Sequence, residues 1–147
     1  MEELIMLLGQ ITKLLEQYLP LEEEKLKAVK ENKVSVVEEC MRKEQALLLN
    51  MRGLEQKRAR MLSEMGCEGK TLRELVSTVR EKDRQSLQLA CDKLEDTVQR
   101  FRSLNDESMK LIRLNLHQME RMAGAEGQLY GKGQQEEDNE HFISRLL

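Results

Sequence analysis

The stretch GCEGKT, residues 66–71, contains the glycine, lysine and threonine that many proteins use to cradle a phosphate. A phosphate-binding loop also needs a preceding strand and a glycine about five positions before the glycine of its Gly-Lys-Thr. That position holds Glu64, and the residues before it have helical periodicity. We therefore interpret the stretch as a helix stop at Gly66 followed by a helix cap at Thr71. A nucleotide-binding protein or small hydrolase is the weakest of three functional hypotheses.

Cysteine and histidine side chains could bind a metal or act as nucleophile and base. Zinc sites commonly place pairs of such ligands about two to five residues apart, whereas every pair in this sequence is much further apart. No nucleophile, base and orienting group can be assembled either. We predict no metal, no cofactor and no enzymatic activity. The residues concerned are Cys40, Cys67, Cys91, His117 and His141.

Charge and hydropathy exclude two further classes of partner. The formal net charge is −3, so no strongly basic field is present to hold nucleic acid or an anionic membrane. No apolar run approaches the ~20 residues that span a bilayer, and the amino terminus has acids where a signal peptide has basic residues. Three cysteines without paired spacing favour a reducing compartment. We predict a cytoplasmic protein that binds no nucleic acid and inserts into no membrane.

The composition and the apolar spacing predict the elements. Charged residues make up 35% of the chain and aromatic residues 3%, a mixture typical of long helices. Helical spacing predicts one helix over 2–31, a second from Ser35 to Gly66 and a third region over 72–122. The polar patch 80–84 can divide this third region into a short helix and a long one. Pro20 predicts a kink in the first helix, with a complete break as the alternative.

Two helix starts have the sequence of a capping box, in which side chain and backbone satisfy each other's hydrogen bonds. These are Ser35 with Glu38 and Thr71 with Glu74. The predicted fold is all-α, an antiparallel helical bundle or coiled coil of three main helices with a long last helix. Residues 1–123 form this helical bundle domain, and residues 124–147 form a flexible acidic tail.

Helix lengths predict an exposed apolar patch. At ~1.5 Å per residue the third region reaches ~60–75 Å and the others ~45 Å, so its carboxyl end extends roughly 10–30 Å past the bundle. Apolar residues there would be unsupported, and such a patch commonly marks an interface. They are Leu111, Ile112, Leu116, Met119 and Met122. The nearby Asn105, Ser108 and Asn115 either form hydrogen bonds at the bundle edge or fix the helix register from the core.

The tail carries the whole net charge of the chain, because its Lys132 and Arg145 are outnumbered by five acids. These acids are Glu126, Glu136, Glu137, Asp138 and Glu140. The ending HFISRLL places four apolar side chains on one face of a short helix. They are Phe142, Ile143, Leu146 and Leu147. This face either folds back onto the third helix or folds on the surface of a partner, in the helix-in-groove mode.

Four segments, in their order and spacing, resemble the FlgN-type flagellar export chaperones over nearly the whole length. They are EEEKLKAVKENKVSVVEECMRKEQALLLNMRGLEQKRARMLSEMG, TLRELV, LNDESMKLIRLNL and LYGKGQ. Pro20 departs from the family pattern, and so does the absence of a second asparagine near Ser108. The resemblance implies a cytoplasmic chaperone of the type III export pathway that takes part in bacterial flagellum biogenesis.

The resemblance also implies the partners and their sites. Such chaperones bind the carboxyl-terminal helical regions of hook-filament junction proteins, the hook-associated proteins one and three. They prevent premature assembly of these clients and deliver them to the cytoplasmic domain of the flagellar export gate. The client contacts the carboxyl-terminal part of the chaperone, and Tyr130 matches a tyrosine implicated in docking to the gate.

Our principal hypothesis assigns residues 105–123 to a groove wall and residues 124–147 to a clamp. Methionines at 109, 119 and 122 give that wall a soft surface that can fit more than one client. The alternative is a coiled-coil adaptor or scaffold, in which the same apolar stripes serve only homo- or hetero-oligomerisation.

Overall fold

The computed structural model describes residues 1–123, and the structural statements below concern these residues. They form four helices: α1 (Glu2–Lys30), α2 (Val34–Glu64), α3 (Leu72–Thr78) and α4 (Glu81–Ala123). The all-α prediction is confirmed for this part of the chain. The predictions for residues 124–147 lie outside the described residues. None of the four helices is long and apolar enough to cross a membrane.

Helix α1 continues through Pro20, so the alternative of a complete break is wrong. A proline inside a helix costs ~3 kcal/mol through a lost hydrogen bond and a clash. The apolar stripe keeps its phase on both sides of Pro20, and Leu15, Leu19 and Leu26 are all buried. Packing of this stripe holds the two halves in one helix.

The tight turn between α1 and α2 lies one residue earlier than the sequence predicts, at residues 31–33. Asn32 takes a left-handed conformation, with φ of 56°, and the Lys33 N–H donates to the Ala28 carbonyl at 2.9 Å. As a result α2 begins at Val34, and its N-cap Lys33 makes no side-chain capping bond. The predicted capping box of Ser35 and Glu38 is therefore wrong, because Ser35 already lies inside the first turn.

The segment that resembles a phosphate loop is a helix stop and a helix start, as predicted. Gly66 has φ of 69°, and the Cys67 N–H donates to the Leu62 carbonyl at 2.8 Å. The Thr71–Glu74 capping box is confirmed: the Glu74 N–H donates to the Thr71 hydroxyl at 3.2 Å, and the Thr71 N–H donates to the Glu74 carboxylate at 2.9 Å. The division of the third region is also confirmed, because α3 ends at Thr78 and α4 begins at Glu81.

Helix α1 is the central element. Both α2 and α4 pack along it, and α3 packs against α4. Contacts of Lys25 with Asn105 and of Asn32 with Asn115 show that α4 runs in the same direction as α1. Because Asn115 lies level with the α1–α2 turn, residues 116–123 continue beyond it by about 12 Å. This extension lies at the short end of the predicted range.

Buried apolar side chains form two separate clusters. The main core joins α1 from Leu4 to Leu19 with α2, α3 and the first half of α4, as far as Phe101. The end core is small and comprises Val29, Met109 and Ile112, with Val37, Leu111 and Leu116 packed against it. The main core fills most of the bundle, and the end core lies beside the α1–α2 turn.

Candidate functional site

A groove of about 450 Å³ opens at the end of the bundle, where α4 passes the α1–α2 turn. Its lining is mostly apolar. The apolar members are Ala28 and Val29 from α1, Val34, Val37 and Met41 from α2, and Ile112, Leu116, Met119 and Ala123 from α4. The polar members are Asn32, Lys33, Glu38, Asn115 and Glu120.

The groove exists because α2 and α4 both pack against α1 but hardly against each other, so an apolar strip between them stays open beside the last turns of α1. The α2 wall repeats at positions 34, 37 and 41, and the α4 wall at 112, 116, 119 and 123. These are the spacings of helix faces that pack against another helix. From Ile112 to Ala123 the α4 wall is about 16 Å long. A helix of a few turns, laid into the groove, would complete the packing.

The exposure of the lining residues differs along the groove. Ile112 and Val29 are buried, Val37 and Leu116 are half-buried, and Val34 and Met119 are 52% and 55% exposed. An uncovered apolar strip of this kind commonly marks an interaction site. Its shape, with apolar walls and a few polar groups at the rim, suits a peptide or helix better than a small polar ligand.

The structure brings together only part of the predicted binding residues. Ile112, Leu116 and Met119 line the groove. Leu111 packs against the end core, whereas Met122 is 91% exposed and does not line the groove. The remaining predicted residues lie outside the described part of the chain; they are Tyr130, Phe142, Ile143, Leu146 and Leu147.

Sequence reasoning missed the opposite wall. Apolar spacing places Val37 and Met41 on the stripe of the second predicted helix, which predicts that they face the core. Val34 lies before the predicted helix start. The sequence carries no local signal for this wall, because its exposure depends on the gap between α2 and α4 where both pack against α1.

A buried polar layer lies between the main core and the end core. The Lys25 ammonium is 2.9 Å from a Glu22 carboxylate oxygen and 2.7 Å from a Glu44 carboxylate oxygen. It also donates a hydrogen bond of 2.9 Å to the Asn105 side-chain oxygen. All four residues are buried. The layer therefore ties α1, α2 and α4 together at a single level.

The charges of the polar layer do not balance, because one ammonium faces two carboxylates. Burial raises the pKa of Glu22 to about 7; the positive Lys25 opposes this increase, and the negative Glu44 adds to it. Burial alone would lower the pKa of Lys25, but attraction to Glu22 and Glu44 outweighs it and the pKa is raised. Lys25 therefore keeps its charge, and Glu22 is the group that takes up a proton near neutral pH.

Asn105 decides between the two interpretations given for the polar residues of α4. It is buried and bonded to Lys25, which is 80 positions away in sequence, so it fixes the register of α4 against α1 rather than lying at the bundle edge. Asn115 fits the edge interpretation, with a long contact of 3.5 Å to Asn32. The hydroxyl of Ser108 is buried and has no hydrogen-bond partner among the described residues.

The periodicity of α1 and α2 indicates two members of the polar layer. Positions 15, 19, 22, 26 and 29 keep the stripe of α1, and positions 40, 44, 47 and 51 keep that of α2. Glu22 and Glu44 occupy core positions in these series. Because they follow Pro20, Glu22, Glu23 and Glu24 also suit the first turn of a restarted helix, where the helix dipole favours acids, and this interpretation conceals the core position of Glu22.

Groups that could do chemistry remain apart in the structure. Cys40 and Cys91 are buried in different parts of the bundle, and burial raises the pKa of both thiols, that of Cys91 to about 11. Neither thiol is therefore a reactive thiolate at neutral pH. Across residues 1–123 no three histidine, cysteine or acidic side chains are grouped to hold a metal ion.

The described residues form a helical bundle with an open apolar seam, a surface suited to binding another helix. Comparison with protein families finds that the model of the FlgN protein family matches residues 1–137. The chain belongs to the FlgN family of flagellar export chaperones, a family without enzymatic activity. Comparisons with curated proteins and with solved structures found no match.

Proposed function

We propose that this chaperone binds the carboxyl-terminal helical regions of the hook-filament junction proteins, hook-associated proteins one and three. It prevents their premature assembly in the cytoplasm and delivers them to the flagellar export gate. The observation that carries the proposal is the open seam between α2 and α4, which lacks one helix. The resemblance to the family suggests the class of client, and the apolar lining of the groove supports binding of a client helix there.

The groove is suited to a client that must be held and then released. A helix that polymerises with its own kind exposes an apolar stripe, and the walls of the groove cover such a stripe. Met41 and Met119 lie on opposite walls, and methionine side chains adapt to differently shaped partners. Two related clients can therefore share a single groove.

Residues 124–147 act as the clamp in this proposal. The apolar side chains of Phe142, Ile143, Leu146 and Leu147 close over the seated client helix. Tyr130 contacts the cytoplasmic domain of the export gate, as the resemblance implies. Because the clamp acts after the client is seated, its removal raises the rate of client release.

Calorimetric titration of the full chain with hook-associated protein one tests the proposal, and we expect one-to-one binding. Absence of binding would contradict the proposal and favour the oligomeric adaptor. The clamp is tested by following client release from the full chain and from a chain that ends at Ala123. The shortened chain should release the client at least tenfold faster, and equal release rates would show that residues 124–147 are not a clamp.

A further inference from the structure

We infer that the groove is occupied, in the client-free protein, by the chain's own segment 142–147. The starting point is a geometric coincidence. Ala123, the last residue of α4, is itself part of the groove lining. The chain therefore leaves the bundle at the mouth of this apolar groove, and 24 residues follow.

The connection is long enough for the segment to return. Eighteen residues, 124–141, separate the groove mouth from Phe142. Extended at about 3.3 Å per residue they would span about 60 Å, whereas the α4 wall of the groove is only about 16 Å long. Chain length thus permits binding in either orientation along the groove.

The apolar pattern of the segment matches what the groove lacks. Phe142, Ile143, Leu146 and Leu147 have the spacing i, i+1, i+4 and i+5, which places all four on one side of a two-turn helix. The groove walls repeat at helical spacing and have no helix between them. Val34 and Met119, each more than half exposed, are the lining residues that such a helix would cover.

Charge favours the same pairing. From residue 110 onward α4 carries Lys110, Arg113 and Arg121 against a single acid, Glu120, for a net charge of +2. The run EEDNE at 136–140, directly before the apolar segment, carries four negative charges. Seating 142–147 in the groove brings this acidic run close to the basic end of α4, an attraction that salt weakens.

Covalent attachment favours the chain's own segment over a second copy. A tethered segment is present at its site at an effective concentration of ~1 mM. A second copy would need a comparable concentration of free protein to compete. The groove of each chain is therefore filled from within, and the protein stays monomeric through this surface.

Regulation of client capture follows from this arrangement, and this consequence rests on the proposed function. A client can enter only when segment 142–147 has left the groove, so the segment lowers the capture rate in proportion to the time it spends bound. Once the client is seated, the displaced segment is free to act as the clamp. One segment would thus both protect the empty groove and hold the filled one.

Methyl NMR of the client-free full chain, labelled at the methionine ε-methyl groups, tests the inference. Met41 and Met119 line the groove, while Met6 and Met51 lie elsewhere in the bundle. Phe142→Leu keeps an apolar side chain and removes only the aromatic ring. We expect it to shift the Met41 and Met119 methyl resonances, because a ring bound in the groove changes their magnetic environment, and to leave Met6 and Met51 in place.

Tyr130→Leu is the matched control, since it removes the other aromatic ring of residues 124–147, and it should move none of the four resonances. The unchanged Met51 resonance reports that each variant is folded. The inference is overturned if Phe142→Leu leaves Met41 and Met119 unshifted, or if their shifts depend on protein concentration, which would indicate a second copy. No client is present, so this result is independent of whether the proposed client is correct.

Discussion

The two ends of the bundle are built from the same kinds of residue and differ in what covers them. At the closed end, the apolar stripes of α1, α2 and α4 face each other and α3 adds a further layer, so that Leu8, Leu87 and Val98 are fully buried. At the open end α1 stops at Lys30. The stripes of α2 and α4 flank its last turns there, make few contacts with each other and form the walls of a groove.

The polar layer of Glu22, Lys25, Glu44 and Asn105 marks the boundary between these ends. Such a layer contributes less net stability than apolar packing of the same volume, but it specifies which residues lie opposite each other. It fixes the register of α4 at Asn105, two turns before the first groove-lining residue of this helix, Ile112. The closed end therefore supplies stability, and the layer supplies the alignment on which the groove walls depend.

The largest effect is expected from Lys25→Met, which leaves two carboxylates buried without their shared cation. Breaking a buried ion pair from one side commonly costs about 3–5 kcal/mol of unfolding free energy. Urea unfolding at pH 8 measures this loss. Lys27→Met is the matched control, because Lys27 is exposed on the same helix, and it should change the unfolding free energy by less than about 0.5 kcal/mol. Equal losses in both variants would show that the layer has no special role.

The next largest effect is the pH dependence of the unfolding free energy that Glu22 causes. Its pKa is raised in the folded protein, from an ordinary value of 4.5 to about 7, so the folded state holds a proton that the unfolded state releases. This contribution to stability is full below pH 4.5 and is lost as the pH rises through 7. The loss of unfolding free energy is up to about 3 kcal/mol. This pH-dependent loss should be absent in Glu22→Gln.

Urea unfolding of the wild-type protein and Glu22→Gln at pH 5, 6, 7 and 8 checks this sign. We expect the two proteins to be similar at pH 5 and the variant to be the more stable at pH 8. The exposed neighbour supplies the comparison, since Glu23→Gln should retain the wild-type pH dependence. A variant that loses stability at pH 8 would mean that Glu22 is ionised and favourably paired.

A smaller effect is expected from Asn105→Ala, which removes the neutral partner of the Lys25 ammonium. Hydrogen bonds to charged groups contribute about 1.5–3 kcal/mol, so a loss of about 2 kcal/mol in urea unfolding is the predicted result. Asn115→Ala removes only the long contact to Asn32 near the turn and should have little effect. The comparison between the layer and the open end would fail if Asn115→Ala were the more destabilising change.

The sequence predicts the helices well and the groove only in part. Apolar periodicity and the Thr71–Glu74 cap locate the elements because these are local properties of the chain. Ile112, Leu116 and Met119 were predicted as binding residues from the apolar spacing and the expected length of the third helical region. Val34 and Val37 were not predicted as groove residues, because their exposure depends on the gap between α2 and α4 in the folded bundle.

The polar layer shows a second limit of the sequence. Lys25 and Asn105 are 80 residues apart, and nothing local identifies them as partners. Pairing of this kind depends on the register between α1 and α4, which only the folded packing defines. Heptad phase could have identified Glu22 and Glu44 as core positions, but it could not have told which cation they would share.

The measurement that most directly tests the account is titration of hook-associated protein one with two variants of α4, Met119→Lys and Leu114→Lys. Met119 and Leu114 are similarly exposed, at 55% and 51%, but only Met119 lines the groove. We predict that Met119→Lys weakens client binding at least tenfold, about 1.4 kcal/mol, because it places a charge in the apolar seam. Leu114→Lys should bind as the wild-type protein does. Equal binding by the two variants would contradict the assignment of the groove as the client site.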